Sequence, residues 1–184
     1  EKGNHDEVVD KGDNILTKAQ KSRKADIALM LAESWHQQGD YKKSLEYYNI
    51  ATQNSRRKLP REVEFKIGFC KMKNEDYQGA IEHFTKVADK NDELAQYASY
   101  YMAQCYTNTD QDKFARNTFL KAYKMNYNDT LKENALYNYA VLSFIPGIDP
   151  FGESINILNE YIKNNPQSSQ LSDLQDIAIH LLLN

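Results

Sequence analysis

This sequence is poor in the residues that build small-molecule chemistry. Its seven glycines fall at turns and close helix contacts and form neither a phosphate-cradling loop nor a dinucleotide-binding fingerprint. The four histidines, His5, His36, His83 and His180, are scattered along the chain with no HExxH run and no His/Cys pair at ligand spacing, which argues against a metal centre. Catalysis is not expected, and neither is a cofactor. Long hydrophobic runs are missing too: the longest, Ile177 to Leu183, is interrupted by His180 and falls far short of the roughly eighteen apolar residues a membrane span needs. Nor is there an excess of positive charge. Net charge is -3 and the pI about 5.8, so the overall field repels a phosphate backbone and no nucleic-acid partner is expected. The balance is uneven: residues 1–66 carry thirteen Lys/Arg against eleven Asp/Glu, and 67–184 carry ten against fifteen. The first residue is Glu1, with no apolar signal region behind it, so the chain reads as a mature or excised segment.

What the chain does have is a period. Small residues recur at Ala32, Gly68, Ala103, Ala140 and Ala178, in steps of 36, 35, 37 and 38 residues. A second small residue follows each of the first four, Ser44, Ala80, Ala115 or Ser154, and four residues later comes a large one, Tyr48, Phe84, Phe119 or Leu158. Self-similarity at this spacing is the mark of stacked units. It resembles the tetratricopeptide repeat (TPR), in which small side chains sit where paired helices approach and large ones fill the gaps. The resemblance implies an all-α fold: a right-handed TPR superhelix, an α-solenoid of antiparallel helix pairs. Residues 1–20 are then the second helix of a preceding repeat, and 22–167 hold four repeats (about 22–58, 59–92, 93–128 and 129–167). Residues 168–184 form the first helix of a truncated fifth repeat. Apolar residues make up 41% of the chain and thirteen are tyrosine, enough to fill helix seams although mean hydropathy is only -0.76.

Turn and cap signals agree with this division. Ser22, Asp40, Asp76 and Asp110 stand where helices restart, Pro60 suits a first helical turn, and Thr130 with Glu133 has the spacing of a capping box. Asn128-Asp129-Thr130 also matches a glycosylation acceptor, but a helix cap explains it more simply. Asp149 and Pro150 serve an enlarged fourth turn. Cys70 and Cys105 occupy equivalent positions in successive repeats, about one layer apart and beyond the ~7 Å Cα limit of a disulfide, so both read as free, half-buried thiols rather than nucleophiles.

Stretches such as Ala32-Glu33-Ser34-Trp35, Glu82-His83-Phe84-Thr85-Lys86-Val87, Ala135-Leu136-Tyr137-Asn138-Tyr139-Ala140 and Pro150-Phe151-Gly152-Glu153-Ser154-Ile155 narrow the likeness. They resemble a section of the large multi-repeat exported proteins of the Bacteroidetes. That implies a periplasmic or outer-membrane-associated scaffold, with the cytoplasm left open, and peripheral membrane association through the rest of the protein. Lys71 stands where such a repeat has an aromatic, Glu75 where it has glycine, and Ser44 and Ser154 where it has alanine.

The expected function is a non-catalytic protein-protein interaction scaffold. Positions three before, one after and four after each small first-helix residue should face the groove: Leu29, Glu33 and His36; Phe65, Phe69 and Met72; Tyr100, Gln104 and Thr107; Tyr137, Val141 and Phe144. No Lys or Arg is among them, which disfavours the carboxylate clamp of chaperone-cofactor repeats and favours an apolar, aromatic groove for a protein or peptide. The partner-binding set is Phe65, Phe69, Met72, Tyr100, Gln104, Tyr137, Val141 and Phe144. The alternative is an anionic-surface or membrane-peripheral module using a basic edge: Lys18, Lys21, Arg23 and Lys24 with Arg56, Arg57, Lys58 and Arg61. The lone last helix, with Leu174, Ile177, Leu181 and Leu182, is expected to leave an apolar strip for self-association.

Overall fold

The structure, a computed structural model, describes residues 11–145 and 152–183. The expectations for His5, for the first half of the helix expected over residues 1–20 and for the turn with Asp149 and Pro150 lie outside the described residues. Among the described residues all regular structure is helical, with no strand. The elements are α1 (11–18), α2 (Lys21–Gln38), α3 (Tyr41–Asn54), α4 (Arg61–Lys73), α5 (Tyr77–Thr85), α6 (Glu93–Thr107), α7 (Asp112–Lys124), α8 (Asp129–Leu142), α9 (Glu153–Asn164) and α10 (Leu171–Leu183). They group into two compact units, Glu1–Lys86 and Val87–Asn184.

Helix starts follow local chemistry, not always at the expected residue. Asp40 and Asp76 cap α3 and α5, their carboxylates accepting from the Lys43 and Gly79 amides at 2.9 and 3.0 Å. Asp92 caps α6 in the same way. Four expectations are corrected. α2 starts at Lys21, so Ser22 lies inside it, and Gln20 precedes it without a side-chain cap bond. Asp110 does not cap α7; it sits at φ +55 just before Gln111, the N-cap. The Thr130–Glu133 capping box is not formed, because Asn128 caps α8 through its amide oxygen on the Leu131 amide at 2.9 Å, and Glu133 instead accepts from the Tyr161 hydroxyl. Pro60 is the residue before α4 rather than its first turn.

Gly39, Glu75 and Asp110 share one place in the period and one backbone state, the left-handed region, at φ +80, +64 and +55. Only glycine takes it without strain. The turn geometry is therefore kept where the sequence departs from glycine, at a local cost.

The periodic positions are the core. Ala32, Ala103, Ala140 and Ala178 are buried with Gly68, and so are Ser44, Ala80, Ala115, Ser154, Tyr48, Phe84, Phe119 and Leu158. A Cβ added at Gly68 would lie 3.0 Å from the Phe84 ring and 3.2 Å from the Cβ of His83, so glycine is what lets α4 close on α5. Ser44 replaces alanine without penalty because its hydroxyl donates to the Ala32 carbonyl at 2.9 Å. Cys70 and Cys105 are fully buried, not half-buried, and free. Burial pushes their thiols up to about 11 and about 12, so neither is a thiolate at neutral pH.

In the first unit α2 packs on α3, α3 on α4 and α4 on α5. In the second, each helix from α6 to α10 packs on the next, and α8 also touches α6 and α10. Successive packing of this kind is the order of an α-solenoid. Leu174 and Ala178 of α10 join a core with Phe119, Leu136, Tyr139 and Leu158. Of the strip expected to be partly uncovered, Leu174 is fully buried, Ile177 and Leu181 are half-buried and Leu182 is exposed. The exposed apolar residues of α10 are Ile179, Leu182 and Leu183.

Candidate interaction surface

The two units treat the same register differently. In the first, α2 presents Glu33 and His36 and α4 presents Phe65, Phe69 and Met72, and none of these five is exposed. Lys66 bonds both Glu33 carboxylate oxygens, at 2.6 and 2.7 Å, joining α2 to α4. Burial alone would raise the Glu33 carboxyl, yet the Lys66 ammonium and its hydrogen bonds hold it below the usual range. His36, Tyr41 and Phe69 form a ring cluster with centroids 5.5 to 5.8 Å apart, and Lys73 stands 5.3 Å over Phe69. Phe65 lies 6.4 Å from Phe69 and 5.6 Å from the buried Phe84. The Nε2 of His36 is buried with no hydrogen-bond partner among the described residues, and burial lowers its pKa, so the ring is neutral and acts as an aromatic wall.

In the second unit Tyr100 is also half-buried, edge-on to the core ring of Phe119 at 5.6 Å, and Gln104 lies one turn further along α6. Burial raises the Tyr100 phenol. On α8 the expected set emerges. Tyr137 and Val141 are 36% and 41% exposed on one face of α8 at i and i+4, and Phe144, in the turn that follows the helix, is 37% exposed. The same register read into α10, one and four residues after Ala178, falls on Ile179 and Leu182, which are 54% and 67% exposed. α8 and α10 adjoin, and the Phe144 ring meets His180 edge-on at 6.3 Å. Exposed apolar residues thus stand on two adjoining helices, with Phe144 against His180 as the ring contact between them. Ile179 was absent from the expected set, yet the period could have found it by continuing the count from Ala178.

A separate feature is polar and buried. Gln96 of α6 is fully buried; its Nε2 donates to the carbonyls of Ala122 and Met125 at 3.2 and 2.9 Å, and its Oε1 accepts from the Asn128 amide. It thereby ties the connection between α7 and α8 to α6 and fixes where α8 begins. No sequence signal marked it. Arg116, also buried, donates to the Ser143 and Tyr139 hydroxyls at 2.9 Å and stacks over the Tyr139 ring, which secures the end of α8.

Among the described residues no three His, Cys, Asp or Glu side chains are grouped to hold a metal, and no helix is long and apolar enough to cross a membrane. Of the basic edge, Lys18, Lys21, Arg23, Arg56, Arg57 and Lys58 are exposed, and Lys24 and Arg61 are half-buried. Compared with known proteins, the chain matches no family model and no curated sequence.

Proposed function

We propose that the chain is a section of a right-handed TPR superhelix and serves as a non-catalytic scaffold that holds a protein partner on the face built by α8 and α10. The observation that carries this reading is the exposed row of Tyr137, Val141, Phe144, Ile179 and Leu182, nonpolar side chains beyond those the core uses. Exposed apolar side chains on adjoining helices, with a tyrosine among them, have the composition of an interface centre, where rigid rings give contact area at little entropic cost. By resemblance to the multi-repeat proteins of the Bacteroidetes, the scaffold works within a larger exported protein at the periplasm or outer membrane.

Affinity capture with the full-length protein from its native cells, compared with Val141→Ser and Phe144→Ala, tests the reading. Each substitution should weaken retention of the co-purifying partner by about 2 kcal/mol while the helical signal stays intact, as for anchors at an interface centre. Phe69 and Tyr100 are poorer probes, since each packs on neighbours whose order it supports. A partner retained equally by wild type and both variants removes the α8 face from consideration.

A further inference from the structure

One end of the first unit concentrates positive charge. Residues 14–25 and 47–61 contain no Asp or Glu, and each holds four cations. Gly39 and Asp40 alone separate α2 from α3, so the two run antiparallel and the start of α2 lies beside the exit of α3. Leu16, Ala28 and Ala51 share one core cluster and fix that end of α1, α2 and α3 together. The first turn of α2 carries Lys21, Arg23 and Lys24 with no acid and no side-chain cap. Positive charge there opposes the helix dipole, so helix stability does not account for it.

The cations flank a groove of about 520 Å³ between α1 and α2. Its lining is mixed: Ile15 and Ile27 supply apolar surface, Lys18 and Arg23 charge, and Asn14 and Gln20 hydrogen-bonding groups. We propose that this end binds an acidic peptide segment bearing an apolar side chain. Its carboxylates meet Lys18 and Arg23, its apolar side chain lies against Ile15 and Ile27, and Arg56 and Arg57 across the end extend the anionic contact. Arg is suited to this because its planar fork takes a carboxylate in two parallel hydrogen bonds. A single-stranded nucleic acid fits less well, since no aromatic ring is among the described residues that line the groove to stack a base. A bilayer fits less well because, of the apolar side chains lining the groove, Ile15 is exposed but Ile27 is half-buried, which leaves little apolar surface to insert. This proposal does not rest on the α8 face, and the two fail separately.

The probes are a short fluorescein-labelled peptide of Glu and Leu, its Lys and Leu counterpart, and vesicles of phosphatidylserine with phosphatidylcholine, each titrated with the chain. The acidic peptide should bind and the basic one should not, with affinity falling as salt rises. Lys18→Glu with Arg23→Glu should weaken binding about tenfold or more. Lys42→Glu with Lys113→Glu changes net charge equally on two exposed residues, one at the opposite end of α3 and one in the second unit, and should leave affinity unchanged. If the double reversal disturbs folding by circular dichroism, Lys18→Gln with Arg23→Gln replaces it. The proposal is overturned if the acidic peptide does not bind, if the control pair weakens it as much, or if vesicles bind through Lys18 and Arg23 while the peptide does not.

Discussion

The first and second units use one repeat plan to opposite ends. Residues 1–86 hold sixteen basic and fourteen acidic side chains, and 87–184 hold seven and twelve. In the first unit charged pairs cross between helices: Glu33 with Lys66, and the buried Glu64 with His83 at 2.7 Å and Lys86 at 3.1 Å. Its first-helix rings, Phe65 and Phe69, are enclosed by neighbours. The second unit has a large apolar core, pinned by Gln96 and Arg116, and half-buries Tyr100 of α6 but leaves Tyr137 and Val141 of α8 and Ile179 and Leu182 of α10 in solvent. Register alone does not decide exposure. Phe69 and Val141 stand at the same place in the period, but His36, Tyr41 and Lys73 close over the first, while Val141 remains open.

If the units are separate cooperative bodies, the largest effects should stay within one of them. Phe84→Ala and Phe119→Ala remove fully buried rings, one per unit, and each should cost about 3–5 kcal/mol. Amide exchange should show α4 and α5 losing protection in the first variant and α6 to α8 in the second. Loss throughout the chain in either variant would merge the two into one body.

Ala80→Leu tests the seam: overpacking against a fully buried position should cost about 1–3 kcal/mol, with Lys42→Leu near neutral in the same thermal melt. An unchanged melt for Ala80→Leu would displace the register. Gln96→Leu should cost about 2 kcal/mol in denaturant titration, since the Ala122 and Met125 carbonyls lose a donor in a buried place. A neutral result would mean that water or the backbone replaces it.

Acid should separate the units next. Burial lowers the pKa of both His36 and His83, only partly offset at His83 by its bond to Glu64. A histidine held below its unfolded pKa near 6.5 stabilises the fold above that value, and the contribution is lost as pH falls from about 6.5 toward the depressed folded pKa. Melts of the first unit should soften across that window, and His83→Gln should flatten the dependence. Exchange read on α7 and α8, which contain no histidine, should change little over the same range.

The smallest effect concerns the turns. Glu75→Gly and Asp110→Gly relieve left-handed strain and should each stabilise by about 0.5–1 kcal/mol, whereas Gly39→Ala should destabilise by a similar amount even though its Cβ would meet nothing within 4 Å.

Much of the fold was legible in the sequence because close helix packing demands small residues at fixed intervals, and the period from Ala32 to Ala178 states that demand directly. The buried set, the helix order and the caps at Asp40 and Asp76 follow from spacing and short-range hydrogen bonding, which a linear reading can follow. Tertiary structure decided matters in which side chains distant in sequence compete for one partner. Thr130 and Glu133 could have closed a capping box, but Asn128, held from the far side by Gln96, took the helix start and Tyr161 took Glu133. Phe65, Phe69 and Tyr100 share the period of Tyr137 and Val141, yet rings from other helices half-cover the first three, and only the last two stay open. Exposure is set by the residues across the seam, and these lie in other helices, from the paired helix of the same repeat, as with Phe84 over Phe65 and Phe119 against Tyr100, to the preceding repeat, as with His36 against Phe69.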